Sequence, residues 1–169
     1  MPLPVPVPDR SFLGAYTRQG AFTDCYATTI SMPVTLSEFI EAFYTTRLFR
    51  LERWLLAKAL SIPSSDEQAS QLARSDAQKF SAWQVELRSS HEILLAAWQT
   101  RSWLCVGQPS SATPSTILFF GSAVVPTRPD GKFGLAFHVF GGFHRLYSKL
   151  LLAAASKKVI KLCRARHAV

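Results

Sequence analysis

The chain has no acidic side chain after Asp130. Residues 1–130 carry 11 basic and 11 acidic side chains and balance, whereas 131–169 add Lys132, Arg145, Lys149, Lys157, Lys158, Lys161, Arg164 and Arg166 with nothing opposite. The whole net charge of +8 therefore belongs to the C-terminal end. One reading is an anionic surface as partner, such as lipid headgroups, nucleic acid or an acidic protein. The other is a solvated helix face near the negative end of its own dipole, and it is the more economical of the two. Nucleic-acid binding asks for exposed aromatics among the basic residues, and no aromatic follows Tyr147, which argues against it.

Long apolar runs are also missing. The run 150–155 falls far short of the roughly 18–20 residues that span a bilayer, so no transmembrane segment is expected. The N-terminal PLPVPVPDR lacks a basic n-region and a continuous apolar stretch, so it does not read as a signal peptide. The three cysteines, Cys25, Cys105 and Cys163, are odd in number and far apart, with no CxxC or Cys/His ligand spacing. That pattern excludes a zinc site of ordinary spacing and fits reduced thiols in the cytoplasm. No GxSxG elbow, Gly-rich phosphate loop or Walker sequence occurs, and no cofactor is implied.

What is present is hydrophobic mass. Apolar residues make up 48% of the 169, with 12 Phe and 4 Trp, enough to fill the core of one domain or line a cavity in it. Residues 1–20 read as an extended, polyproline-like arm, and 21–169 as a single domain with a basic tail. Residues 21–31 are rich in Thr, Tyr, Phe and Ile and read as a strand. Thr35 and Glu38 form a capping box opening a helical pattern that runs to Leu60, with Thr45 and Thr46 as a place for it to kink or split. A second capping-box pattern at 64–67 opens a short polar helix. Period-two alternation then predicts strands over 80–88, 92–99, 103–108, 116–125 and 132–140. In the first of these Trp83, Val85 and Leu87 fall on the inward face, and Gln84, Glu86 and Arg88 on the outward one. Ser89 and Ser90 turn the chain, and residues 100–102 read as the next turn, with Trp98 and Trp103 as a cross-strand pair over it. Gly141 and Gly142 break the pattern, and helical spacing from Phe143 predicts a final helix over 143–161. Consecutive hairpins cannot form a parallel Rossmann sheet. The fold class is therefore α+β, a curved antiparallel sheet wrapped around a long C-terminal helix.

This order of elements, with TLSEFIEAFYTTRLFRLERWLL in the first helices and FHRLYSKLLLAAA in the last, resembles the helix-grip superfamily. That superfamily contains START lipid-transfer domains, birch-pollen-allergen-like proteins and polyketide cyclases, and within it the chain looks most like a bacterial family of unknown function. The resemblance implies an apolar cavity between sheet and final helix, occupied by a small hydrophobic molecule. The superfamily has no universal catalytic motif, so no catalytic residue follows from it. Its usual strand count is seven, against six in the pattern here; either two strands are merged or the N-terminal segment supplies one.

Candidate lining residues for such a pocket are Phe43, Leu51, Trp54, Trp83, Trp98, Phe119, Phe137, Phe143 and Tyr147, with His138 or Arg101 as polar anchors. Each has a plainer reading, since an aromatic at helical or strand spacing is more often core than ligand contact. His138 and His144 could serve a cyclase- or hydrolase-like reaction at the cavity mouth, or be hydrogen-bonded residues with no chemical role. Glu86 and Glu92 flank one turn, yet the alternation puts Glu86 on the solvent side, against a catalytic carboxylate pair. Ligand binding leads, with an enzyme and a basic interaction helix as the alternatives.

Overall fold

The computed structural model describes residues 1–108, 114–125 and 135–167, with side chains described from 145 to 165 in the last segment. In chain order the elements are β1 (Leu3–Pro4), α1 (Phe12–Arg18), β2 (Phe22–Ile30), α2 (Leu36–Tyr44), α3 (Arg47–Leu60), α4 (Asp66–Ala73), β3 (Lys79–Phe80), β4 (Trp83–Arg88), β5 (Glu92–Ala97), β6 (Thr100–Gly107), β7 (Thr116–Val124) and α5 (Leu135–His167). The strands form one seven-stranded sheet in the order β1-β2-β7-β6-β5-β4-β3, with every neighbouring pair antiparallel. The sheet is curved and open, and α5 packs against β2 and β7 on its inner face, with α2 alongside. This is the helix-grip arrangement.

Local chemistry sets the helix boundaries. The capping box of Thr35 and Glu38 opens α2, and Thr46 caps α3 by accepting from Phe49 N at 3.1 Å. Between them Thr45 donates its hydroxyl to the Glu41 carbonyl at 2.5 Å, so the threonine pair stops one helix and starts the next. The second capping box sits one residue later than the pattern suggested, on Ser65 and Gln68, which exchange both bonds. Arg53, buried on α3, reaches Asp66 at 2.9 Å and the Tyr44 carbonyl at 3.2 Å, tying α3 to α4 and α2.

The sheet is buried on both faces. On the inner face Tyr26, Phe120, Leu104 and Ile93 lie in one row across four strands and meet α2, α4 and the α5 stripe of Leu151, Leu152, Ala155 and Val159. On the outer face Cys25, Gly121, Trp103 and Leu94 form the neighbouring row, and α1 covers it through Leu13. Gly121 permits that contact, because a Cβ there would stand 2.4 Å from Leu13 Cδ2 and 2.9 Å from the Asp24 carbonyl. The arm thus begins extended, with Leu3 and Pro4 paired to β2, and then forms a helix at 12–18 instead of staying extended throughout.

The structure alters three other expectations. A bulge between Val85 and Leu87 breaks the period-two alternation of β4. Trp83 and Val85 face the inner core, whereas Leu87 pairs with outer-face Leu94 and is 44% exposed. Arg88 turns inward instead and donates to the carbonyls of Leu72 at 2.6 Å and Ala73 at 2.8 Å, at the C-terminal end of α4. The β5–β6 hairpin closes through Trp98 and Gln99, with Ala97 opposite Thr100 and Trp98 at φ +49°, so the turn precedes residues 100–102. Trp103 stands opposite Leu94 and Gly121, not opposite Trp98.

Finally, residues 135–140 are helical; 132–134, the start of the expected strand, lie outside the described residues. The reason is topological. β7 already has β2 on one edge and β6 on the other, so no free edge remains beside it for a strand that follows. Gly141 and Gly142 disfavour a helix by only about 1 kcal/mol each relative to Ala, and they do not end α5. The expected seventh strand comes from the N-terminal segment, and the segment 80–88 divides into β3 and β4.

These placements separate two leucines of similar sequence context. Leu94→Ala is expected to cost about 2–5 kcal/mol in denaturant unfolding, as for other fully buried leucines, and Leu87→Ala less than about 1 kcal/mol. Equal losses would show that the bulge does not persist in solution.

Candidate functional site

The inner face changes character one row beyond its aromatic core. Register places Asp24 on β2 opposite Ser122 on β7, and Ser122 opposite Ser102 on β6. These three share the face of Tyr26, Phe120 and Leu104, so they form a polar row beneath the helices. Ser122 donates to Asp24 Oδ1 at 2.6 Å. Tyr44 at the end of α2 and Ser148 on α5 are both fully buried. The Tyr44 hydroxyl is turned toward Ser102 without meeting it in hydrogen-bond geometry, and the Ser148 hydroxyl has no partner among the described residues. A buried hydroxyl left unpaired costs about 1–3 kcal/mol, so its position is informative.

Two further groups close this end of the fold. Glu52 on α3 is held by the Tyr147 hydroxyl from α5. Burial raises the Glu52 carboxyl above its ordinary value, a shift the bond from Tyr147 only partly offsets. Burial, the Glu52 charge and that same bond push the Tyr147 hydroxyl up as well. Lys149 lies over the Tyr26 ring at 5.8 Å. Burial and Asp24 push the Tyr26 hydroxyl up to about 12, with Arg145 pulling the other way. The part of the inner face near residues 145–149 of α5 therefore gathers a carboxylate, a carboxyl that holds its proton more tightly than usual and several hydroxyls.

The sequence candidates divide between faces. Tyr147 belongs to this site through Glu52, and Trp83 packs on Phe49 at the far side of the inner core. Phe43 is fully buried among Tyr44, Phe49 and Phe120, as core. Leu51 and Trp54 are 53% and 56% exposed on α3 and do not line the inner face. Phe119 packs on Trp103 in the outer cluster. Arg101, proposed as an anchor, is also on the outer side, where it pairs with Glu86 at 2.6 Å and donates to the Tyr16 hydroxyl at 2.9 Å. Trp98 stands at the hairpin tip beside an open depression of about 370 Å³ that Lys79, Gln84, Glu86 and Ala96 help to line. The side chains of Phe137, His138, Phe143 and His144 lie outside the described residues.

Sequence reading missed Asp24, Tyr44, Glu52, Ser102, Ser122 and Ser148. A signal was present in four of them: Asp24, Ser102 and Ser122 interrupt apolar strands, and Ser148 interrupts the apolar stripe of α5. Only the register shows that the three strand residues are adjacent.

Other chemistries have little support. Glu92 is engaged by Phe12 N at 3.0 Å and Trp103 Nε1 at 2.7 Å, and Glu86 by Arg101, so the two carboxylates serve separate contacts. Burial pushes the Cys25 and Cys105 thiols up to about 12, which keeps them protonated and poorly nucleophilic. Among the described residues no group of His, Cys, Asp and Glu could hold a metal, and no helix is long and apolar enough to cross a membrane.

No family model, curated protein or solved structure matches the chain.

Glu52 provides a test of the site's electrostatics. The folded chain holds its proton more tightly than the unfolded chain does, whose value is about 4.5. Its favourable contribution is therefore full below that value and is lost as pH rises through the folded one. Glu52→Gln, neutral throughout, is expected to gain stability relative to the parent chain as pH rises above about 4.5 in paired denaturant melts. A parent chain that gains on the variant over that range would show that the site favours the carboxylate.

Proposed function

We propose that this chain is a helix-grip domain that binds a small, mostly apolar molecule carrying one polar head. The polar head sits against the row of Asp24, Ser122 and Ser102, within reach of Tyr44 and Ser148. The apolar part lies along the inner face beside Tyr26 and Tyr147. The observation that carries this reading is the pair of fully buried hydroxyls, Tyr44 and Ser148, without hydrogen-bond partners among the described residues. A purely structural core would fill those positions with Phe and Ala, which cost no desolvation. A bound hydroxyl, carbonyl or carboxyl would satisfy them and would be oriented by them. The resemblance to the helix-grip superfamily points to the same place in the fold.

A second reading, a cyclase- or hydrolase-like enzyme, rests on Glu52. A buried carboxyl that retains its proton more readily than usual is suited to proton donation. Binding of an apolar molecule is common to both readings, and turnover distinguishes them.

Native mass spectrometry of the purified chain is expected to show a co-purified apolar molecule, and a fluorescent medium-chain fatty acid should bind one to one. Ser148→Ala should weaken that binding by about three- to tenfold, the worth of one buried hydrogen bond, without loss of fold. A chain that carries no molecule and binds no probe would end the pocket reading.

A further inference from the structure

The exposed face of α3 is not explained by the pocket. Positions 47, 51, 54, 55 and 58 recur at helical spacing and all are exposed, giving Arg47, Leu51, Trp54, Leu55 and Lys58 in one stripe. Leu51, Trp54 and Leu55 are 53%, 56% and 53% exposed, so about half of each stands in water. The opposite face carries the packing, through Phe49, Arg53 and Glu52. The one carboxylate on α3 is therefore turned inward against Tyr147, and the outward stripe has an apolar centre with a cation at each end. On α5, Leu146, beside the Tyr147 that reaches α3, is 57% exposed as well.

We propose that this face of α3 is a docking surface for an anionic lipid membrane. Leucines and a tryptophan flanked by Arg and Lys are the composition of a helix that lies in the headgroup region. There the apolar side chains enter the acyl boundary and the cations meet phosphates. Charge complementarity selects this occupant over a second copy of the chain. An antiparallel self-pair through the stripe sets Arg47 against Lys58, and a parallel pair sets each cation against itself, so both arrangements repel. The surface is separate from the inner-face pocket and does not depend on what that pocket holds. It is also distinct from the C-terminal cations: Lys158 is spent inside the fold, where its ammonium donates to the Thr45 carbonyl at 2.6 Å and the Thr45 hydroxyl at 2.5 Å.

The test is co-sedimentation of the full chain with vesicles of phosphatidylcholine alone and with added phosphatidylserine, at low and high salt. Partitioning is expected to be at least about tenfold stronger with phosphatidylserine and to fall steeply with salt. Trp54→Ser, an exposed change that leaves the fold intact by circular dichroism, should reduce it about tenfold or more. Arg47→Glu with Lys58→Glu should abolish it, whereas Lys157→Glu with Lys161→Glu, on the exposed side of the C-terminal half of α5, should change it little. Three results would overturn the proposal. One is equal binding to both vesicle types, or none. Another is loss through the Lys157 and Lys161 changes alone, which would assign the contact to α5. The third is a concentration-dependent dimer in the absence of vesicles that Trp54→Ser dissolves, which would assign the face to a second copy.

Discussion

A buried carboxylate joins the two layers of this fold. Glu92 opens β5, faces the outer side of the sheet and is 6% exposed. Its Oε2 accepts from the first backbone N–H of α1 and from the indole of Trp103. A carboxylate so deeply placed is tolerated only because those donors replace water, and the helix N-terminus adds a favourable dipole. The contact fixes α1 over Trp103, and Leu13 then seats on Gly121. The outer layer depends on this junction, and without it the apolar row of Cys25, Trp103 and Leu94 would face solvent.

Covering the outer face decides where function can reside. With α1 and the N-terminal arm on one side and α2, α4 and α5 on the other, the central strands β5 and β7 are committed to core on both faces. That explains why Phe43 and Phe119, plausible cavity residues by composition, are packing residues on opposite faces. The exception is the end of the inner face, where aromatic packing gives way to Asp24, Ser122 and Ser102. Polar side chains are expensive in such a place unless they are paired. The incomplete pairing of Tyr44 and Ser148 therefore sets this end of the inner face apart more clearly than Phe43 or Phe119 does.

The basic excess is likewise sorted by packing. Lys157 and Lys161 stand on the exposed side of α5, whereas Lys158, between them, is drawn inward to cap α2, with burial lowering its pKa. A charge count treats these lysines as equivalent; the 100° step between helical neighbours does not. The same step separates Glu52, turned inward to Tyr147, from Leu51 and Arg47, turned out. Surface charge on this molecule is thus a property of helix faces more than of the C-terminal segment as a whole.

By itself the sequence determined the class of fold and most element boundaries. Caps, turn residues and hydrophobic period are local, and the chain carries them plainly at Thr35, at Thr45 and Thr46, and through the alternation of the strands. The inward stripe of α5 was not plain in it: Leu146 and Leu150 share helical spacing with Leu151 yet are 57% and 49% exposed, and the structure buries Leu151, Leu152, Ala155 and Val159 instead. The tertiary structure alone decided the rest. The bulge in β4 puts two residues against one on β5, which reverses Leu87 and Arg88, and no pattern within β4 signals it. The helix at 135–140 follows from β7 having both edges filled, a fact about strand order and not about those residues. The polar row likewise exists only because residues 24, 102 and 122 come together across three strands. Local propensity acts over a few residues, whereas a site is made by contacts between distant ones, and those are fixed when the sheet sets its register.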